Sequence, residues 1–235
     1  MNIVIITRRE LTTFFLSPIA YVAGAIFLFV TGLFFYFTVA VDGQAGLGQV
    51  FSIMAVMLLL LAPILTMRLL AAETQSGTLE LLFTLPIRNA EIVVGKFMAA
   101  FLFFLAILTP TALYVFILTW FGSPYLPAII VGYMGLILLA AMLLSIGLLA
   151  SAIAANQFVA ATATIVTVAA VWIIGSLGLP YTDTPGAGFG YLTIQEHLTY
   201  FMVGLINVTD IIYFISITVA ALFLTTRVLE LRRWH

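Results

Sequence analysis

The sequence predicts an all-α integral membrane protein with six transmembrane helices and both termini cytoplasmic. Three observations carry this. Hydrophobic residues fill 64% of the 235 positions and charged residues 7%, and mean hydropathy is +1.27. A soluble domain is about 45–50% apolar and about 25% charged, so a water-exposed fold could not cover this much apolar surface. Uncharged runs recur at the roughly 20 residues that cross a bilayer core of roughly 30 Å. Finally, the basic residues all sort to one side of the crossings those runs define.

The whole chain, 1–235, reads as a single transmembrane domain. It opens MNIVIITRRE, with apolar residues ahead of the arginines, the reverse of a secretory signal, so the N-terminus is expected to be retained. Residues 2–15 mix Arg8, Arg9 and Glu10 with apolar neighbours, which predicts an amphipathic interfacial helix on the cytoplasmic face. Pro18 separates it from a first span at about 19–41. A second span covers about 50–70, with Pro63 inside as a kink.

From 97 to 182 there are 86 residues without a charge, and turn chemistry must divide them. FGSPYLP at 121–127 breaks the run once, and SAIAANQ at 151–157 breaks it again through Asn156 and Gln157. The resulting spans are about 97–120, 128–150 and 158–178. A long outer segment follows, with a short interfacial helix expected in TIQEHLTYFMVGLIN. The last span is about 211–226, with Thr209 and Asp210 as its expected caps.

Six crossings put all eight basic residues on one side: Arg8, Arg9, Arg68, Arg88, Lys96, Arg227, Arg232 and Arg233. With five acidic neighbours that side carries +3, while Asp42, Asp183, Glu196 and Asp210 give the other −4, consistent with the chain's net −1. Basic residues mark the cytoplasmic side, whereas five crossings would expose one terminus and its arginines. The small net charge gives no reason to expect a nucleic-acid partner.

Five charged residues crowd into positions 73–96, between the second and third spans: Glu73, Glu80, Arg88, Glu91 and Lys96. Ser76 is placed to cap a short helix starting at Gly77, and Pro86 to end it. Leu79, Leu82 and Phe83 then share one face, while Glu80 and Thr84 share another. Asn89 is placed to cap the helix that continues into the third span. Two readings stay open on chemistry alone. Either this is an ordinary interfacial loop with its leucines among headgroups, or it is a polar knob offered to a cytosolic protein.

These residues also resemble a known family. ETQSGTLELLFTLPI followed by EIVVGKF is similar to the cytoplasmic coupling region of ABC transporter permeases of the type-2 exporter class. RRELTTFFLSPIAYVAGAIFLFVTGLFFYF resembles that class's amphipathic elbow and first span, most closely in the gliding-motility-associated permease subfamily. HLTYFMVGLINVTDIIYFISITVAALFLTTRVLELRRW looks like the same subfamily's final span.

The resemblance implies a permease subunit that pairs with a second permease, identical or different, to form the translocation path. It implies two cytosolic ABC ATPase subunits as partners, which would bind the ATP and Mg, and a companion membrane component. Residues 73–86 would be the coupling helix between spans two and three. Glu73, Ser76, Gly77, Thr78, Leu79, Glu80, Leu85 and Pro86 match the motif, and Asn156 and Gln157 would form a second, smaller ATPase contact. The implied location is the bacterial inner (plasma) membrane.

No catalytic, cofactor or metal residues are expected in the chain itself. GKF at 95–97 lacks the upstream glycine and the following Ser or Thr of a phosphate loop, so ATP hydrolysis must belong to a partner. His197 and His235 do not form a metal-ligand pair, and His197 is expected at the outer interface. Ser145 and Ser176 have no base nearby in sequence and read as packing residues. Cysteine is absent, which excludes disulfides and thiol chemistry. The Ala- and Thr-rich fifth span, and Gly24 and Gly32 in the first, suit close helix packing, either within the bundle or against another subunit.

The leading function is the permease subunit of an ATP-driven ABC transporter. A non-transporting membrane scaffold or assembly factor could use the same loop. A small secondary transporter is disfavoured because no ionisable residue falls in the core of any expected span.

Overall fold

The computed structural model describes residues 2–41, 46–78, 87–121, 124–176 and 194–233. Among these the chain forms helices and connecting turns and no strand. The helices are α1 (Asn2–Leu16), α2 (Pro18–Tyr36, ending in a π turn Phe37–Val41), α3 (Gly48–Thr66), α4 (Ala71–Gln75) and α5 (Asn89–Leu108). After a 3₁₀ turn, Thr109–Thr111, come α6 (Ala112–Phe121), α7 (Leu126–Ile153), α8 (Gln157–Ser176), α9 (Ile194–Val203) and α10 (Val208–Arg233). An all-helical answer is what lipid demands, because a helix satisfies its backbone polar groups internally.

Among the described residues, five helical segments are long and apolar enough to cross a membrane: Pro18–Val39, Gly48–Gln75, Asn89–Trp120, Leu126–Ile153 and Val208–Arg232. Their positions follow the expected first, second, third, fourth and last spans. The expected fifth span is α8, whose apolar portion Gln157–Ile173 is shorter than the other five.

The centre of the bundle is α7, which packs against α3, α8, α9 and α10. Glycines bring these helices together: a Cβ at Gly132 would collide with the Phe51 ring, and one at Gly147 with the Thr66 side chain. Buried threonine hydroxyls are satisfied within their own helices. Thr31 donates to Phe27 O at 2.8 Å, Thr66 to Ala62 O at 2.9 Å and Thr164 to Ala160 O at 2.8 Å. This removes a desolvation cost without a second helix.

Proline acts differently in two spans. α3 continues through Pro63, with Met67 N–H bonded to Pro63 O at 2.9 Å. Pro110 instead divides the third span with the 3₁₀ turn, which sequence reading had drawn as an unbroken run. Tyr133 of α7 donates to Thr111 O at 2.9 Å, and its hydroxyl lies 3.0 Å from Thr111 Oγ1.

The N-terminal helix forms where expected. Its inward face lies along the start of α5 in the same direction. Thr7 Oγ1 donates to Gly95 O at 3.1 Å, and the Phe14 and Phe103 rings stack at 5.2 Å.

On the opposite end of the bundle two expectations are corrected. His197 is not at the surface: it is 6% exposed, its Nδ1 lies 2.6 Å from Asp210 Oδ1, and its ring stacks on Tyr213. Asp210 therefore does not cap α10. Asn207 does, accepting the Thr209 N–H at 3.2 Å. A carboxylate only 2% exposed needs a donor, and α9 supplies one. α9 can fold back because Gly204 takes φ +87° at its end, where Leu205 N–H reaches Tyr200 O at 2.9 Å.

Candidate functional site

The polar residues cluster around α4, the five-residue helix Ala71–Gln75 that follows the second span. A helix this short has almost no intrinsic stability, since nucleation absorbs most of its hydrogen bonding. Neighbours hold it instead.

Its N-terminus is capped from another helix. Ser151 Oγ of α7 accepts the Leu70 N–H at 3.1 Å and the Ala71 N–H at 2.9 Å. Two of the unpaired amides at a helix start are thereby satisfied in a buried position. Its middle is held by an ion cluster: Lys96 Nζ of α5 lies 2.7 Å from Glu73 Oε1 and 2.9 Å from Glu10 Oε1 of α1. Lys96 is 2% exposed, so the ammonium has exchanged water for two carboxylates. Removing the lysine leaves both carboxylates without their cation, which costs about 3 kcal/mol or more.

A third tie comes from the last helix. Arg232 Nη1 donates to Thr74 Oγ1 at 3.0 Å, and its Nη2 donates to Ile153 O at 2.9 Å. The planar guanidinium makes both bonds from separate nitrogens held in a fixed fork. Ile153 is the last residue of α7, in the turn carrying Asn156 and Gln157. The two segments expected to meet a cytosolic partner are therefore fastened together, directly by Ser151 and indirectly by Arg232. Displacing α4 must load α1, α5, α7 and α10.

The individual residues of the motif have distinct places. Glu73 is turned inward on Lys96, so it positions α4 instead of presenting its carboxylate outward. Ser76 closes α4, its hydroxyl donating backward to Ala72 O at 2.9 Å; the helix it is expected to cap runs into 79–86, outside the described residues. The Ala72 carbonyl takes both the Ser76 N–H, at 3.0 Å, and the hydroxyl, the usual i−4 back-bond of a serine at a helix end. Gly77 follows at φ +68°, a left-handed conformation that ends the helix cheaply only for glycine. Thr78 Oγ1 and Ser76 Oγ lie 2.8 Å apart on the exposed surface. Leu79, Glu80, Leu85 and Pro86, with the rest of 79–86, lie outside the described residues.

Asn89 also differs from expectation, being the first residue of α5 with Arg88 as N-cap. Glu91 accepts the Arg88 N–H at 3.1 Å and the Asn2 Nδ2–H at 3.2 Å, joining this cap to α1. In the second segment, Asn156 Oδ1 accepts the Val159 N–H at 2.9 Å and caps α8. Gln157 lines a cavity beside Glu73.

Sequence reasoning missed Lys96, Glu10, Ser151 and Arg232 as parts of one site. Lys96 carried a readable signal: a lone cation at the mouth of an uncharged run needs carboxylates, and few exist in this chain. Arg232 carried none, because its role depends on where α10 ends in space.

No curated protein matches the chain. Residues 6–234, nearly its whole length, match the family described as ABC-2 family transporter protein. With its membrane-crossing helices and a polar post built at their ends, the chain belongs to the ABC-2 transporter family as a permease component.

Proposed function

We propose that this chain is the transmembrane subunit of an ATP-driven transporter, coupled to a cytosolic ATPase through residues 73–86 and, secondarily, 151–157. The observation that carries the reading is that α4 is bound to the 151–157 turn by Ser151 and Arg232. A partner gripping one segment thereby moves the other. Two such ATPases and a second permease subunit, identical or different, complete the machine.

α8 is the remaining crossing, giving six with both termini on the basic, cytoplasmic side of the bacterial inner membrane. The likeness of the opening and closing segments to gliding-motility-associated permeases supports a place near that subfamily. ATP and Mg belong to the partner, and this chain performs no hydrolysis.

Gentle detergent purification followed by identification of co-purifying chains is the direct test. An ABC ATPase should be present with the native sequence and absent after Leu79→Asp with Glu80→Lys, while membrane insertion persists. Retained assembly in the double variant would overturn the coupling role. A scaffold would hold the ATPase without altering its turnover, whereas a permease changes it on reconstitution.

A further inference from the structure

Beside the ion cluster lies a cavity of about 350 Å³ between α1, α2, α3, α4 and α5. That is the lower end of the volume range for sites that hold small organic groups. Its walls combine three kinds of surface. Arg9 and Arg68 are exposed cations on its lining, and Arg68 Nη1 is steadied by Ser17 Oγ at 3.0 Å. Ile19 and Ile64 supply apolar wall, and Ile19 is 43% exposed on the outer surface of the bundle. The third component is Glu73, whose Oε1 is held by Lys96 while its Oε2 is buried without a hydrogen-bond partner.

An unpaired buried carboxylate oxygen is costly and calls for a donor. Lys96, Glu10 and Glu73 together carry one net negative charge, so a cationic donor suits them. The two arginines carry the complementary positive charge. A ligand that presents an ammonium to Glu73 and a phosphate to Arg68 and Arg9 matches these three charged groups.

We propose that this cavity binds the headgroup of a membrane phospholipid bearing a primary ammonium, of the phosphatidylethanolamine type. Its phosphodiester lies between Arg9 and Arg68, its –NH₃⁺ donates to Glu73 Oε2, and its acyl chains leave over Ile19 into the bilayer. Arginine forks suit phosphate oxygens. A quaternary choline ammonium has no N–H to give, and a glycerol headgroup has no cation, so the site discriminates among lipids sharing one phosphodiester. The exposed apolar wall favours a lipid over a soluble phosphate ester.

The test uses the purified full-length chain without any ATPase, so it is independent of the coupling role. Native mass spectrometry would follow incubation with equimolar phosphatidylethanolamine, phosphatidylcholine and phosphatidylglycerol of identical acyl chains. Phosphatidylethanolamine should be retained about tenfold over the other two, the scale of one charge-assisted hydrogen bond. Glu73→Gln preserves an acceptor for Lys96 and should remove that preference while lipid still binds. Arg9→Gln with Arg68→Gln changes only exposed side chains and should reduce retention of all three lipids. An unchanged lipid ratio in Glu73→Gln, or full retention in the arginine variant, would overturn the site. Equal capture of water-soluble glycerophosphoethanolamine would overturn the lipid as its occupant.

Discussion

Arg232 and Thr74 are 158 positions apart in sequence and 3.0 Å apart in space. That bond closes the chain's last helix onto the short helix after its second span. Because the same guanidinium also holds Ile153 O, it joins α4 to the end of α7.

Arg232→Ala should therefore leave insertion intact and weaken coupling. Reconstituted with its ATPase, the variant is expected to lose most permease-dependent stimulation. Arg232→Lys should restore it only in part, since an ammonium cannot span both acceptors in the fork geometry. Equal stimulation by all three proteins would exclude this role.

Lys96→Met should be among the most destabilising changes at the site. It leaves Glu73 and Glu10 together without their cation, at a cost of about 3 kcal/mol. Glu10→Gln should cost about 1 kcal/mol or less, since Glu10 is partly solvated and Lys96 retains Glu73. Thermal unfolding in detergent measures both, and the order of the two midpoints is the outcome to check.

Gly132→Ala places a Cβ into the Phe51 ring and should destabilise by about 1–3 kcal/mol. Phe51→Leu in the same chain makes room, so the double variant should be more stable than the sum of the single effects predicts. Strict additivity in a denaturation cycle would show that the helices simply move apart.

Asp210→Ala leaves His197 buried without its carboxylate and should cost about 2 kcal/mol. Replacing both, with His197→Phe and Asp210→Leu, should recover part of the loss, because an apolar pair tolerates burial better than one polar partner left without the other. Unfolding midpoints of the two variants decide it.

Because the chain has no native cysteine, single cysteines can be placed on a clean background. A thiol at Glu80 should react with a membrane-impermeant reagent only from the cytoplasm, and one at Asp42 only from outside. Labelling of Glu80→Cys from outside would reverse the orientation and remove the coupling surface.

The spans were legible because lipid imposes its rule residue by residue: an uncharged run of sufficient length has few alternatives. Turns at 121–127 and 151–157 were legible for the same reason, through proline, glycine and amide side chains. Caps were not. Asn89 had the right residue type at a sensible offset, but Arg88 took the cap position before it. Nor was the His197–Asp210 pair, whose members come from different helices and look like surface residues separately. The motif at Glu73 was recognised from local sequence, whereas the ties that hold it come from α1, α5, α7 and α10 and exist only once the bundle has folded.

The 3₁₀ turn at Thr109–Thr111 makes the third crossing two rods instead of one. The inner rod is pinned along α1 and at Lys96, while the outer one presents Leu113, Phe116 and Trp120 to its surroundings. The Tyr133 hydroxyl ties that turn to α7, so the change of helical pitch within the third crossing is held from a neighbouring helix.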